Sequence, residues 1–293
     1  MKYYEADFVI HPLVEDARDL LSALAGEAGF ETFEETETGL KGYVQQSLYS
    51  EEALQEALQD FSFEGVTISY TISEAEDRDW NEQWEQEGFE PIEVRSEGVK
   101  SEKCPIVLIH DGRHLPTDIP SDAIAIEIDA KLAFGTGTHE TTRMICSTLL
   151  DLDIKDKRVL DCGTGTGILS ICALKLGAAE AMGYDIDEWS VDNARHNAVI
   201  NQVDDRFTSL LGDATLLYNK VEGTFDLVMA NINRNILLAD MPLFRQKMAP
   251  DARLILSGFY TSDIPLLVER AASLGLTLES QKSDHDWACL IFK

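Results

Sequence analysis

The chain of 293 residues is strongly acidic, with 24 Lys and Arg against 53 Asp and Glu and a formal net charge of −29. A surface this negative repels phosphate backbones, so it disfavours tight general binding to nucleic acid and favours a basic partner, unless the acidity only keeps the protein in solution. The five cysteines contain no Cys-x-x-Cys pair, which favours a reducing compartment over a disulfide scaffold or a zinc site. The chain shows neither a signal peptide nor an apolar run of the roughly 18 residues that span a bilayer, so we expect a cytoplasmic protein.

The first 75 residues predict a small, separate domain with both helices and strands. The predicted elements are strand Tyr3–Ile10, a helix opened by Pro12, strands Phe30–Thr36 and Leu40–Gln46 around the turn residue Gly39, a helix capped by Ser50, and a strand with alternating Val66, Ile68, Tyr70 and Ile72. This β-α-β-β-α-β order is the ferredoxin-like arrangement. The segment holds three basic and sixteen acidic residues, nearly half of the net charge in about a quarter of the chain.

Residues 76–130 are predicted to connect this domain to the rest of the chain. Glu74–Glu90 is very polar and carries Trp80 and Trp84, which are four residues apart and therefore lie on one helical face. We interpret this stretch as a connecting helix that packs its two indoles on a neighbouring domain. Short strands follow at Pro105–Ile109 and Ala123–Ile128.

Residues 131–293 predict an α/β domain, because apolar strand-like runs alternate with amphipathic helices. Candidate strands are Arg158–Asp161, Ala181–Asp185, Phe207–Leu211, Leu227–Ala230, Arg253–Leu256, Leu276–Ser280 and Ala288–Phe292. Helical patterns between the first five predict a mostly parallel, doubly wound sheet. The last two runs have no helix between them, so the closing pair is expected to be antiparallel.

The strongest site signal is the run Val159–Leu169, in which an apolar strand leads through Gly163, Gly165 and Gly167 into a helix. Glycines allow close backbone approach to a ligand, and the start of a helix presents free N–H groups. Position 168 is isoleucine where a dinucleotide fingerprint requires glycine. Asp161 at the strand end fits a ligand with an ammonium and a sulfonium better than a pyrophosphate, so a dinucleotide is disfavoured as the ligand.

Three further strand ends carry side chains suited to the same ligand. Asp185 follows the second strand, where an acid accepts hydrogen bonds from ribose hydroxyls, while Asp187 is placed to cap the next helix. Asp213 follows the third strand, either as acceptor for an adenine amino group or as a turn residue. Asn231 ends the fourth strand and places a neutral amide at the carboxyl edge of the sheet, where ligands of this fold bind.

A second glycine-rich segment, Phe134–Thr142, opens a helix upstream and suits a carboxylate, but it lacks the lysine of a phosphate-binding loop. His139 within it is predicted to serve in capping, in packing or in catalysis. The other histidines have no metal-ligand spacing, so no metal site is expected.

Taken together, these motifs resemble the bacterial methyltransferases that modify ribosomal protein L11 of the large subunit. The resemblance covers the whole chain, and its most specific part is Leu132–His139, which class I methyltransferases in general lack. It implies a class I, Rossmann-like domain that binds S-adenosyl-L-methionine, and an N-terminal domain that holds the substrate. Three residues depart from the family pattern: Lys131 stands where glycine is usual, Glu140 where proline is usual, and Asn233 where an apolar residue is usual.

The resemblance implies transfer of methyl groups to lysine side chains or the N-terminal α-amine of L11, with no residue identified as a catalytic base. An RNA or DNA base methyltransferase is the nearest rival function, disfavoured by the charge and by the absence of an Asn-Pro-Pro-aromatic run. The sequence also leaves open a small-molecule methyltransferase and a regulator that binds the cofactor without catalysis. The residues predicted to bind the cofactor are Thr142, Gly163, Gly165, Asp185, Asp213 and Asn231.

Overall fold

The computed structural model describes residues 3–46, 48–59, 61, 63, 65–75, 88–96, 106–115, 123–130 and 135–293. The chain divides into two compact units, Met1–Glu82 and Gln83–Lys293. The helix predicted around Trp80 and Trp84 lies outside the described residues, as does Lys131. The domain limits placed at residues 75 and 130 stay predictions.

The first unit has the predicted ferredoxin-like fold. Its elements are β1 Tyr3–His11, α1 Glu15–Glu27, β2 Thr32–Glu35, β3 Gly39–Gln45, α2 Glu51–Gln59 and β4 Thr67–Glu74. The strands form an antiparallel sheet in the order β2-β3-β1-β4. Alternate residues of β1, namely Ala6, Phe8 and Ile10, are buried beneath the helices, as the period of two in a strand requires.

Two details of this unit differ from the prediction. Helix α1 begins at Glu15 instead of near Pro12, because Val14 has an extended backbone and packs its side chain on the core. Gly39 is the first residue of β3 and not the turn, which residues 36–38 form. Glycine is required at position 39 because a Cβ there would strike the backbone carbonyl of Phe8 on the neighbouring strand.

The second unit begins, in its described part, with a small sheet of three strands, β5 Ile92–Arg95, β6 Ile106–His110 and β7 Ala123–Glu127. Strands β5 and β6 are antiparallel, while β6 and β7 are parallel. The predicted strands at Pro105–Ile109 and Ala123–Ile128 are thus confirmed within a residue or two. The apolar residues of this sheet join the core of the second unit.

The larger sheet of the second unit has seven strands in the order β10-β9-β8-β11-β12-β14-β13. Its strands are β8 Arg158–Cys162, β9 Glu180–Asp185, β10 Phe207–Leu211, β11 Phe225–Asn231, β12 Met248–Tyr260, β13 Leu278–Asp284 and β14 Trp287–Phe292. The helices around it are α3 Glu140–Asp151, α4 Ile168–Lys175, α5 Glu188–Ile200, α6 Leu216–Asn219, α7 Arg234–Lys247 and α8 Ile264–Ser273.

Strands β8 to β12 pair in parallel, and β14 pairs antiparallel with both β12 and β13, so the predicted Rossmann-like sheet with an antiparallel last strand is confirmed. Two apolar clusters cover the sheet, one containing residues of α3 to α5 and the other residues of α7 and α8. The strand order reverses between β8 and β11, and a crevice at that point is where ligands of this fold bind. Within the described part of the chain, no helix is long and apolar enough to cross a bilayer.

Candidate functional site

A cavity of about 550 Å³ opens at the carboxyl ends of the parallel strands β8, β9, β10 and β11. The residues predicted for the site come from five separate parts of the chain, and all of them line this cavity: Thr142, Gly163, Gly165, Asp185, Asp213 and Asn231. The structure therefore brings the six predicted residues together, while their individual roles stay predictions.

The glycine loop after β8 has a backbone that only glycine adopts without strain, with φ of 75° at Gly163, 52° at Gly165 and 82° at Gly167. A Cβ at Gly163 would collide with Cγ2 of Ile232, which also lines the cavity. The N–H groups of Gly163 and Thr164 both donate to the Tyr184 carbonyl, at 2.9 and 3.0 Å. The loop thus presents bare backbone to the cavity, while the N–H groups of Gly163 and Thr164 are bound within the protein.

Asp161 anchors this loop from below and does not line the cavity. Its side chain is fully buried and accepts hydrogen bonds from the hydroxyls of Thr164 at 2.9 Å and Ser170 at 2.8 Å. Burial raises the pKa of the Asp161 carboxyl to about 6, against the opposing effect of these hydroxyls. Asp161 therefore stabilises the conformation of the loop. Because Asp161 is not among the residues that line the cavity, the direct contact with a cationic ligand that its position suggested is not observed.

Of the two neighbouring acids, Asp187 caps a helix as predicted, while Asp185 lines the cavity and its ribose role stays a prediction. The Asp185 carboxylate accepts from the N–H of Gly165 at 2.9 Å and from the N–H of Asp187 at 3.1 Å, so it is held rigidly at the cavity wall. Asp187 caps α5, accepting from the N–H of Ser190 at 3.1 Å. Asp185 is thus the carboxylate of the pair that faces the cavity.

Asp213 forms a turn and also lines the cavity. It is exposed, and its Oδ1 accepts from both the N–H and the hydroxyl of Thr215, at 2.9 and 2.5 Å. These bonds lower the pKa of Asp213. Asp213 is therefore a turn residue, and its Oδ1 already accepts the hydrogen bonds that form the turn.

Asn231 provides a buried acceptor at the cavity. Its Nδ2 donates weakly to the Thr142 hydroxyl, at 3.5 Å, and its Oδ1 is buried with no hydrogen-bond partner among the described residues. A buried oxygen without a donor costs free energy, so such an atom marks a place where a bound N–H group is favourable. Asn231 is fixed there as the last residue of β11, and Thr142 lies in the first turn of α3.

The upstream glycine segment is tied to the glycine loop, because the Thr166 hydroxyl donates to the Gly135 carbonyl at 2.6 Å. His139 caps α3, with Nδ1 accepting from the N–H of Thr141 at 3.3 Å, and its ring lies edge-on to Trp287 at 4.7 Å between centroids. Capping and packing thus account for His139, which does not line the cavity. Glu140, in place of the family's proline, is the first residue of α3.

Sequence reasoning missed several cavity residues, among them Tyr184, Asp240 and Ile186. Tyr184 and Ile186 flank Asp185, so their places next to a predicted site residue could have identified them. Asp240 lies inside α7, where no local sequence pattern distinguishes it from other helical residues. Asn233 lines the cavity and caps α7 by accepting from the N–H of Ile236 at 3.1 Å. No cluster of His, Cys, Asp and Glu in the described ranges is arranged to hold a metal ion.

A family model described as ribosomal protein L11 methyltransferase (PrmA) matches residues 14–293. The chain is 45% identical over 292 residues to a ribosomal protein L11 methyltransferase of Phocaeicola vulgatus, covering 100% of this chain and 99% of that protein. It is 46% identical to one of Bacteroides fragilis, with the same coverage. A crystal structure of ribosomal protein L11 methylase from Lactobacillus delbrueckii subsp. bulgaricus superposes with a TM-score of 0.58 at 28% identity, covering 66% of this chain and 95% of that chain.

The cavity fits the cofactor of such enzymes. Bare glycine backbone, the rigidly held Asp185 carboxylate and the unpartnered Asn231 amide oxygen line it. The described lining residues include no Lys or Arg that would suit a pyrophosphate. The chain belongs to the ribosomal protein L11 methyltransferase family and is an enzyme that uses S-adenosylmethionine as methyl donor.

Proposed function

We propose that this enzyme methylates amines of ribosomal protein L11, either lysine side chains or the N-terminal α-amine. The names of relatives that are 45% and 46% identical over the whole chain support this substrate. The observation that carries the chemistry is the buried, unpartnered Oδ1 of Asn231 in the cavity wall. An amide oxygen accepts a hydrogen bond from an amine N–H without adding the negative charge that favours an ammonium.

S-adenosylmethionine supplies a methyl group bonded to a positively charged sulfur, which is a good leaving group. The residues of the chain therefore mainly align the methyl donor with the acceptor amine, and the rate acceleration comes from this fixed geometry. The acceptor must lose its proton first: at pH 7 this costs about 4.6 kcal/mol for a lysine of pKa ~10.4 and about 1 kcal/mol for an α-amine of pKa ~7.7. We assign no side chain as general base, and the proton passes to water.

The decisive test is a labelling experiment. The enzyme is incubated with S-adenosylmethionine carrying a labelled methyl group, together with ribosomal subunits or with free large-subunit proteins. Label in L11, located by mass spectrometry to lysine or N-terminal nitrogen, is the expected result. Label in ribosomal RNA would instead support a base methyltransferase, and a labelled small molecule with unlabelled protein would also contradict the proposal.

We further propose that residues 1–75 recruit the substrate and that the reaction takes place in the cytoplasm. The segment has sixteen acidic residues against three basic ones, whereas ribosomal proteins generally carry excess Lys and Arg. Opposite charges of this kind act chiefly on the rate of association. The buried cysteines Cys146, Cys162, Cys172 and Cys289 are present as thiols, which is consistent with a reducing compartment.

Substrate recruitment by charge predicts a salt effect on one kinetic constant. Raising the salt from 50 to 500 mM is expected to raise KM for L11 severalfold, since screening acts over about 8 Å at physiological ionic strength. The affinity for S-adenosylmethionine, measured by calorimetry, should change little, because its contacts lie inside the cavity.

Charge reversal provides the matched experiment. Glu37, Glu52 and Glu56 are exposed acids of the first unit, so lysine at these positions changes the field with little effect on packing. The triple variant should show a raised KM at low salt and a weaker salt dependence. A KM that is flat across salt and unaffected by reversal would mean that the acids serve solubility alone.

Asp185→Ala is expected to weaken S-adenosylmethionine binding by roughly 1.5–3 kcal/mol, the range for hydrogen bonds to a charged group. Two losses contribute: the ribose acceptor and the bond that holds the Gly165 N–H. Asp187→Ala is the control, because Asp187 caps α5 outside the cavity lining and its loss costs about 1 kcal/mol of stability. Equal affinities of the two folded variants by calorimetry would remove Asp185 from the site.

A further inference from the structure

Three buried asparagines spaced four residues apart lie on one face at helix α5. Asn193 and Asn197 belong to the helix, and Asn201 follows its last residue. Asn197 is fully buried, and the other two are 5% and 6% exposed. A buried amide is costly unless its oxygen and its nitrogen are hydrogen-bonded, so this row requires polar partners that match its spacing.

The partners are main-chain groups at the open edge of strand β7, which pairs with β6 alone among the described strands. The Glu127 N–H donates to Oδ1 of Asn201 at 3.0 Å, and Nδ2 of Asn201 donates to the Glu127 carbonyl at 2.6 Å. The Asp129 N–H donates to Oδ1 of Asn197 at 3.0 Å, and the Asp129 carbonyl accepts from Nδ2 of Asn193 at 2.8 Å. Residues four apart in a helix are about 6 Å apart along its axis, and alternate residues of a strand about 6.6 Å, so the amides can replace a neighbouring strand.

Asn197 departs from this pattern in a way that leads to the cofactor cavity. At Glu127 a single asparagine binds both main-chain groups, whereas at Asp129 the N–H and the carbonyl are bound by two different asparagines. The reason is that Nδ2 of Asn197 is directed elsewhere: it donates to the Thr166 carbonyl at 2.9 Å and to Oδ1 of Asn193 at 3.1 Å. Thr166 belongs to the glycine loop after β8, so Asn197 joins this loop to the edge of β7.

The glycine loop can approach α5 this closely because position 167 has no side chain. A Cβ at Gly167 would lie 3.1 Å from Cβ of Ala194 and 3.2 Å from its Cα, which is tighter than side chains normally pack. Ala194 lies about one helical turn before Asn197. The close contact between Gly167 and Ala194 therefore brings the carbonyl of the preceding residue, Thr166, within reach of the Asn197 amide.

Thr166 extends the connection to the upstream glycine segment. Its side chain is fully buried, and its hydroxyl donates to the Gly135 carbonyl at 2.6 Å. Gly135 lines the cavity, as do Gly163 and Gly165 of the glycine loop. Asp129 and Gly135 are only six residues apart in the sequence, so Asn197 and Thr166 bind both ends of one short stretch of chain to the glycine loop.

We propose that Asn197 and Thr166 are positioning residues for the methyl donor, because they fix the upstream glycine segment and the glycine loop relative to each other. Neither side chain lines the cavity, so both act through the backbone of residues that do. Two cavity walls that are held in place before the ligand arrives lower the cost of ordering them on binding. The inference rests on S-adenosylmethionine as the methyl donor and is independent of which amine is methylated.

The first test compares Thr166→Val with Thr148→Val in the full-length chain. Both threonines are buried, and each hydroxyl donates to one backbone carbonyl, that of Gly135 at 2.6 Å and that of Met144 at 2.8 Å. Thr148 lies in α3 outside the cavity lining, so it is the matched control. By calorimetry, Thr166→Val should weaken S-adenosylmethionine binding about threefold to tenfold, and Thr148→Val by less than about twofold. Thr166→Ser keeps the hydroxyl and should restore most of the affinity.

The second test compares Asn197→Leu with Asn201→Leu. Each change replaces a buried amide by an apolar side chain of similar size and leaves main-chain groups at the edge of β7 unpaired, so both should lower Tm. Only Asn197→Leu also leaves the Thr166 carbonyl without its donor. The Kd for S-adenosylmethionine should therefore rise about 10- to 100-fold in Asn197→Leu and less than about threefold in Asn201→Leu.

The proposal is overturned if Thr166→Val binds S-adenosylmethionine as tightly as Thr148→Val, or if Thr166→Ser binds it as weakly as Thr166→Val. Equal affinities of Asn197→Leu and Asn201→Leu would also overturn it, because the asparagine row would then support the fold alone. If leucine at position 197 prevents folding, the same comparison is made with Asn197→Ser and Asn201→Ser. Failure to methylate L11 with normal cofactor binding would contradict the proposed substrate and leave this inference standing.

Discussion

A Gly163→Val variant is expected to lose detectable binding of S-adenosylmethionine and, with it, all methyltransferase activity. Position 163 has a φ of 75°, which costs a β-branched residue of the order of 1–3 kcal/mol. The new side chain would also collide with Cγ2 of Ile232, and such overpacking costs typically about 1–3 kcal/mol more. Any relief of this clash moves either the glycine loop or Ile232, and both line the cavity.

Gly275→Val is the control that distinguishes damage to the binding site from backbone strain alone. Gly275 has a φ of 76°, almost the same as Gly163, but a Cβ there meets no atom within 4 Å, and the residue lies outside the cavity lining. Both variants should lose thermal stability from the strained backbone, and Gly163→Val should lose more because its side chain also meets Ile232. Only Gly163→Val should lose cofactor binding by calorimetry, and a Gly163→Val protein that binds normally would show that the loop does not contact the ligand.

The parts of the fold that follow local patterns were predictable from the sequence. Apolar runs flanked by helical patterns identified each parallel strand, and the missing crossover before Ala288–Phe292 identified the antiparallel closing pair. The glycine loop and Asp185 were found because strand ends of a parallel sheet converge at one edge. The length of β12 was underestimated, because the predicted strand Arg253–Leu256 covers only the middle of a strand that runs from Met248 to Tyr260.

The features that escaped prediction depend on contacts between distant parts of the chain. Gly39 was interpreted as a turn residue, although the backbone of Phe8 on another strand is what requires a glycine there. Asp161 carries a strand-end carboxylate like Asp185, and only the fold shows that Thr164 and Ser170 occupy it below the cavity. Tyr184 on β9 and Asp240 on α7 both line the cavity, and no local spacing relates them.

Asn231→Asp is expected to slow methylation strongly at pH 7 and to regain much of the rate at higher pH. The Asn231 Oδ1 is buried without a partner in the described residues, so the neutral amide can accept from the amine without favouring its protonated form. A carboxylate in the same place stabilises the ammonium and raises the pKa of the acceptor amine by about 1–3 units. Because only the neutral amine reacts, kcat should fall about 10- to 1000-fold at pH 7, and the rising limb of the pH–rate profile should move to higher pH by the same interval.

Two further variants distinguish this electrostatic effect from general damage. Asn231→Ala removes the acceptor without adding charge, so kcat should fall about 10²- to 10³-fold at every pH, in line with the loss of one aligned polar group in an active site. Asn233→Asp places the same charge two residues away, on an exposed side chain where aspartate still caps α7. Its pH–rate profile should move much less, because solvent screens an exposed charge. A faster Asn231→Asp enzyme at pH 7 would instead mean that a carboxylate at this position acts as a base, and that proton removal, more than alignment of a neutral amine, limits the reaction.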